Sequence, residues 1–174
     1  MSRTTKRRAI GLDLMLHAYM FMQSGIPVLY SGDEIGQVND YTYKEDPNKV
    51  ADSRYIHRGK MNWTLAKNVA NPETVEGKLF ARLEQLIEIR KREKAFVSNA
   101  DTWTIDTGDT AVLCIGRYFE GNKIIGLFNF SEFEKRARIS QKDDVFEDLI
   151  TGQQMKLQEV TVPPYGFYYF REQL

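Results

Sequence analysis

The spacing of apolar residues predicts a helix close to the N-terminus. Apolar side chains recur there every three or four positions and define one helical face, formed by Leu12, Met15, Leu16, Tyr19 and Met22. The pattern covers about residues 9–22 and stops at Ser24-Gly25, where a glycine suits a helix C-terminus. We therefore predict an amphipathic helix.

The same segment has the charge pattern of a secretory signal, an interpretation that we reject. Basic residues precede the apolar positions, at Arg3, Lys6, Arg7 and Arg8. Polar residues interrupt the apolar stretch, and no small-residue cleavage site follows it. Because the stretch is also too short and polar to span a bilayer, we expect no membrane partner.

A short apolar run follows, from Ile26 to Tyr30, without polar alternation. Such a run is typical of a strand that is covered on both faces in a parallel sheet. Residues 37–70 have no clear period and are rich in polar, aromatic and charged side chains, as loops that shape a pocket are. The order of helix, buried strand and polar loop indicates a unit of an α/β protein.

A second helix is predicted from Asn71 to about Lys94. Asn71 is a good N-cap and Pro72 suits the first helical position. Apolar residues then recur at helical intervals, and basic residues near the end suit the negative pole of the helix dipole.

From about Ser98 the pattern changes to short alternating runs, which predict an antiparallel sandwich with a domain boundary near residues 96–101. Turns are predicted at Glu120-Gly121-Asn122 and at Thr151-Gly152. The predicted strands are Trp103–Thr107, Val112–Tyr118, Lys123–Phe130, Arg136–Ile139 and Tyr165–Phe170.

Charge and cysteine content narrow the function classes. The 24 basic and 24 acidic residues balance, so no general field attracts nucleic acid or an anionic membrane. The single cysteine, Cys114, lies in an apolar run and can form no internal disulfide. We expect a buried, unreactive thiol and a reducing, cytoplasmic location.

The segment from Gly25 to Trp63 resembles a known enzyme family. Residues 25–36 read Gly-Ile-Pro-Val-Leu-Tyr-Ser-Gly-Asp-Glu-Ile-Gly and resemble the eighth barrel strand of the alpha-amylase superfamily, glycoside hydrolase family 13. The residues that follow are similar to a narrower group, the amylosucrases and related sucrose-acting enzymes. The positions that carry this likeness are Asn39-Asp40-Tyr41, Asp46-Pro47, Lys49, Asp52-Ser53-Arg54-Tyr55, His57-Arg58, Met61 and Trp63.

The resemblance implies a fold class of α/β followed by all-β. Residues 1–97 would form the end of a (β/α)8 barrel, with its seventh helix, eighth strand, long active-site loop and eighth helix. Residues 98–174 would form the C-terminal antiparallel β-sandwich. Two further strings in the C-terminal half, at residues 127–131 and 148–152, match the family, so the resemblance covers essentially the whole chain.

The resemblance also implies the chemistry. Amylosucrases split sucrose, hold the glucosyl unit as a covalent intermediate and transfer it to an α-glucan, with release of fructose. In the family the catalytic carboxylates follow the fourth, fifth and seventh strands, which precede the region that this chain resembles. We therefore expect no catalytic residue here, no activity of the chain alone, and the N-terminal barrel portion as its partner.

Arg54 is the strongest candidate for a substrate-binding residue, together with Asp52 of the same motif. The resemblance implies that Arg54 pairs with an aspartate from an early barrel loop and closes the floor of a one-hexose pocket. A planar guanidinium suits such a bidentate contact. The alternative is a solvated loop arginine.

Asp33, Glu34 and His57 complete the predicted substrate-binding set. Asp33 and Glu34 follow the predicted strand, at the end where barrel active sites form. Adjacent residues on an extended chain point in opposite directions, so turn formation and sugar contact are both open and a catalytic pair is disfavoured. His57 can hydrogen-bond to sugar or to neighbouring loops.

No metal or cofactor is predicted. Asp40, Asp46 and Asp52 lack the spacing of an EF-hand calcium loop. His17, His57 and Cys114 are too widely spaced for a zinc motif.

Two alternatives to the amylosucrase fragment stay open. The first is a free-standing, non-catalytic module that binds glucan or a protein. The second is part of a sucrose hydrolase or of another alpha-amylase family enzyme, since acceptor choice depends on loops outside this sequence.

Overall fold

The computed structural model describes residues 3–139 and 145–173. Its helices are α1 (Arg3–Met22), α2 (Trp63–Ala66) and α3 (Val75–Arg92). Chain contacts divide the protein into two compact units, which we call the sheet unit and the loop unit. The sheet unit contains residues up to Pro27 and from Leu83 onward, and the loop unit contains Val28–Arg82.

Eight strands in the described residues form two antiparallel sheets in the sheet unit. The larger has the order β1-β2-β3-β8-β5-β6, and the smaller pairs β4 with β7. The predicted antiparallel architecture is confirmed, as are both turns. The strands are β1 (Asp101–Ile105), β2 (Val112–Phe119), β3 (Asn122–Asn129), β4 (Lys135–Arg138), β5 (Val145–Asp148), β6 (Gln154–Lys156), β7 (Glu159–Val162) and β8 (Phe167–Glu172).

One hydrophobic core joins the two sheets. It contains alternate residues of the large sheet, such as Cys114, Leu127 and Phe170, together with Ala137 and Val160 of the small one. The predicted burial of Cys114 is confirmed, and burial raises the pKa of its thiol to about 12, while its low reactivity stays a prediction.

Helix α1 covers the opposite face of the large sheet. The buried hydroxyl of Tyr169 donates a hydrogen bond to the carbonyl of Ala18, and Tyr19 meets Phe128 edge to face. Gly126 lets the helix approach closely, because a Cβ there would lie 3.0 Å from the sulfur of Met22. The predicted apolar face is therefore only partly used: Met15 and Met22 are buried and Tyr19 meets the sheet, whereas Leu12 and Leu16 are 36% and 46% exposed.

Two arginines cap the C-terminal end of α1. Arg117 is fully buried and donates to the carbonyls of Met22 (3.0 Å), Ala95 (2.7 Å) and Val97 (2.7 Å). Arg90 donates to the carbonyl of Phe21 and, at 2.7 Å, to that of Gly25. Cations suit this end of a helix, where carbonyls lack partners within the helix. Burial lowers the pKa of both guanidinium groups.

Helix α3 begins later than predicted, because Thr74 is its cap. The Thr74 hydroxyl accepts the N–H of Gly77 at 3.0 Å, which is the geometry of an N-cap. The side chain of Asn71 instead accepts the N–H of Glu73 at 3.0 Å and closes a turn before the helix. The predicted N-cap at Asn71 is therefore wrong by three residues.

The predicted buried strand at residues 26–30 is absent. The segment has no regular secondary structure, and Ile26 and Val28 are 91% and 74% exposed. A strand of this kind needs neighbouring strands on both sides, and no described strand pairs with it. The assignment of this region to a barrel, and the division into domains at residue 97, stay predictions.

Candidate functional site

Three aspartates build the loop unit between residues 40 and 58. The Oδ1 atoms of Asp40, Asp46 and Asp52 accept the N–H of the residue two positions on, at 2.9, 2.9 and 3.0 Å. Such Asx turns supply the backbone with hydrogen bonds that regular structure would otherwise provide. Each turn opens a short tight segment, two of which are 3₁₀ helices at Thr42–Glu45 and Ser53–His57.

The same hydrogen bonds hold the three carboxyl groups in their ionised form. The pKa of Asp40 is lowered mainly by the side chain of Thr42, and that of Asp46 mainly by the backbone N–H of Asn48. The pKa of Asp52 is lowered mainly by the guanidinium of Arg54. These aspartates therefore act as structural acceptors, which explains their spacing without a calcium ion.

Arg54 and Asp52, both predicted to bind substrate, form a bidentate pair. Nε and Nη2 of Arg54 each lie 2.8 Å from an oxygen of Asp52. The side chain of Arg54 is 74% exposed, and its Nη1 atom has no hydrogen-bond partner among the described residues. One edge of the guanidinium thus holds its own loop while another is open to a ligand. The predicted pairing with a more distant aspartate stays a prediction.

Asp33 and Glu34 lie in a tight turn. Asp33 Oδ2 accepts the N–H of Tyr30 at 3.2 Å, and Glu34 Oε2 accepts the N–H of Gly32 at 2.9 Å. Gly32 and Gly36 bracket the turn with φ angles of 105° and 62°, which glycine adopts without strain. Turn formation is one of the two roles weighed for these carboxylates, and sugar contact stays a prediction.

His57 ties two parts of the loop together. Its Nδ1 lies 3.1 Å from Oδ1 of Asn39, and beside it the N–H of Asp40 donates to the carbonyl of Ile56 at 2.8 Å. Its role as a sugar ligand also stays a prediction.

A polar cleft of about 490 Å³ lies within the loop unit. None of the five predicted substrate-binding residues lines it. Its lining comprises Asp40, Thr42, Tyr43, Glu45, Asp46, Pro47, Lys49, Tyr55 and Arg58. Tyr55 and Arg58 are three positions apart, which is one turn of a 3₁₀ helix. This spacing in the sequence is the signal that could have placed their side chains on one face.

Other kinds of site find no support in the described part of the chain. It contains no group of three His, Cys, Asp or Glu side chains that could hold a metal ion. No described helix is long and apolar enough to cross a membrane.

No protein-family model matches the sequence. Over 154 residues, or 87% of this chain, the sequence is 29% identical to the glucosylglycerate phosphorylase of Escherichia coli strain K12. The chain spans 26% of the length of that relative.

Solved structures share its fold. Trehalose-6-phosphate hydrolase of Bacillus licheniformis matches 94% of the chain with a TM-score of 0.71 and 19% identity, over 39% of its own chain. Trehalulose synthase of Pseudomonas mesoacidophila MX-45 matches 94% of the chain with a TM-score of 0.69 and 16% identity, over 38% of its own chain. An Anoxybacillus alpha-amylase matches 94% of the chain with a TM-score of 0.70 and 17% identity, over 32% of its own chain. The chain has the fold of a part of these enzymes.

Proposed function

We propose that this chain is the C-terminal portion of a retaining α-glucosyl transferase or hydrolase of the alpha-amylase superfamily. The observation that carries the proposal is the alignment with glucosylglycerate phosphorylase over 87% of the chain. The shared fold with a trehalose-6-phosphate hydrolase, a trehalulose synthase and an alpha-amylase supports it.

Within such an enzyme, Arg54 is proposed to hold the glucosyl unit at the floor of its pocket. The support is the rigid mounting of its guanidinium on Asp52 and the open Nη1 atom. A bidentate mounting orients the remaining N–H groups, which is what recognition of a sugar hydroxyl or of a second carboxylate requires. Asp33, Glu34 and His57 are proposed as further contacts.

We propose sucrose as the glucosyl donor, because the motif from Asp52 to His57 resembles that of amylosucrases. A second candidate donor is a glucoside of glycerate, with inorganic phosphate as the acceptor. The name of the curated relative favours this second reaction.

Retaining glucosyl transfer needs a carboxylate nucleophile and a carboxylic acid about 5 Å apart. The proposal places both in the barrel portion of a parent protein that carries residues 1–174 at its C-terminus. The pure 174-residue chain is therefore expected to release neither fructose nor glucose from sucrose. Steady turnover by the chain would refute the fragment proposal.

The parent protein distinguishes the donors. Fructose release from sucrose supports the first, whereas phosphate-dependent release of glycerate from glucosylglycerate supports the second. Absence of both reactions would refute both candidate donors.

Arg54→Ala in the parent tests the role of this residue. We expect kcat/KM to fall by at least about tenfold, and Arg54→Lys to recover only part of it because an ammonium cannot make the bidentate contact. Arg136→Ala, at an exposed arginine of β4, is the control and should keep the full rate. Equal rates for Arg54→Ala and the control would make Arg54 a solvated loop residue.

A further inference from the structure

The large sheet of the sheet unit has two edges, which are built differently. Strand β6 forms one edge with three residues and carries Lys156, a residue type that discourages the pairing of a further strand. Strand β1 forms the other edge with five residues, and neither lysine nor proline occurs among them. No strand of the described residues pairs with the outer side of β1. Because proteins usually protect such edges, this edge indicates a pairing site.

The bulky side chain of β1 is turned away from this edge. The indole ring of Trp103 lies over Gly116 of the neighbouring strand β2, where a Cβ would come within 2.2 Å of the ring. Glycine therefore makes room for the ring on the sheet. Thr102 and Thr104, which point to the other face, are exposed. The N–H and C=O groups that alternate residues direct outward are therefore open to a new strand.

The sequence of β1 is complementary to itself in an antiparallel arrangement. A two-fold axis at Trp103 pairs the whole strand with that of a second copy, and Thr102 of each copy then lies opposite Thr104 of the other. Threonine pairs of this kind stabilise antiparallel strands. The one charged residue of β1, Asp101, meets Ile105, so no like charges lie opposite each other.

We propose that β1 is a dimerisation edge, at which two copies of this chain join their six-stranded sheets into one continuous antiparallel sheet. The proposal goes beyond the proposed function and does not depend on it. A symmetric contact uses the same surface of both copies, and a self-complementary strand provides such a surface. Five residues a side are far fewer than the roughly 20 to 30 of a standard interface, so the dimer is weak.

Sedimentation equilibrium of the pure chain, between about 5 and 500 μM, measures the association. We expect a reversible monomer–dimer equilibrium with a dissociation constant on the order of 100 μM. The double substitution Thr102→Lys and Thr104→Lys places lysine opposite lysine at two positions, so it should raise this constant by about tenfold. Both positions are exposed, so the fold should be kept, and circular dichroism checks this.

A charge swap tests the register of the two strands. The double substitution Thr102→Glu and Thr104→Glu should also weaken self-association. An equimolar mixture with the lysine variant should instead form a heterodimer at least as tight as the original dimer, because each new lysine then lies opposite a new glutamate.

Gln154→Lys is the matched control. Together with Lys156 it puts the same spacing of two lysines on the β6 edge, and it should leave the dissociation constant unchanged.

The proposal fails if the chain stays monomeric at every concentration, or if the mixture forms no heterodimer. A dimer that the lysine variant does not weaken would also refute it, and would assign the association to another surface, such as the exposed Ile26 and Val28. An equal loss in Gln154→Lys would refute it too, because the contact would then lie at β6.

Discussion

The sheet unit and the loop unit are each stabilised internally by a different kind of interaction. The sheet unit contains a continuous apolar core and a fully buried arginine, whereas the buried apolar side chains of the loop unit are Ile35, Tyr43 and Leu79. The loop unit relies on Asx turns and exposed ion pairs, which contribute little each and weaken with salt. One unit is therefore stabilised by burial and the other by ionised carboxylates.

The largest expected effect is that of Arg117→Met in the sheet unit. The substitution leaves the carbonyls of Met22 and Ala95 buried without a donor, while that of Val97 keeps the N–H of Ala100, at a total cost of about 2 kcal/mol or more in the free energy of unfolding. Urea denaturation monitored by tryptophan fluorescence measures it. Arg136→Met, at an exposed position, should cost less than about 0.5 kcal/mol. A similar cost for both would show that the buried hydrogen bonds add nothing.

The sequence alone predicts parts of the fold that depend on local chemistry. The hairpin turn at Glu120-Gly121 follows from the glycine, which adopts its φ of 80° without strain, whereas the φ of 45° at Glu120 is uncommon for glutamate. The long strands β2 and β3 follow from apolar runs between turn residues, but β5, β6 and β7 have only three or four residues and give too short a pattern.

Other features depend on distant partners. A basic residue inside an apolar strand gives no sign that Arg117 would meet carbonyls 20 and 95 positions away. The cleft was missed for a related reason. Motif resemblance directed attention to Arg54, while the residues that line the cleft belong to the turns around it.

The second prediction concerns proteolysis, which should cut the exposed loop unit first. From the predicted domain boundary near residues 96–101 alone, the surviving core would be the C-terminal sandwich. The structure adds that α1 packs on the large sheet through Tyr169 and the two arginines, so the two fragments should stay together after the cut. Size-exclusion chromatography of nicked protein should show co-elution. Separation of the N-terminal fragment under native conditions would contradict this packing.

Acid should affect the loop unit through its three aspartates. The pKa values of Asp40, Asp46 and Asp52 are lowered from 3.8, so their stabilisation is complete above about pH 4 and is lost as the pH falls through the depressed values. Hydrogen exchange at pH 6 and pH 3, corrected for intrinsic rates, should show lost protection at Thr42, Asn48 and Arg54. Asp46→Asn keeps the acceptor oxygen and should reduce the pH dependence locally. Unchanged protection at pH 3 would contradict a role for charge.

The smallest expected effect is the reaction of the native chain with a thiol reagent at Cys114. Its pKa of about 12 and its burial keep it a protonated thiol at neutral pH, so a thiol reagent should react only when the sheet unit unfolds. Arg117→Met should accelerate labelling, whereas Asp46→Asn should not. Rapid labelling of the native chain would show that the core opens locally.

The hydrogen bond between Ala18 and Tyr169 joins residues 151 positions apart. During synthesis on a ribosome, α1 emerges long before β3 and β8, the strands that its apolar face covers. Such non-local pairing slows folding, because a long loop must close before the contact forms. The contact of the helix with Tyr169 must therefore wait for a strand that is made about 150 residues later.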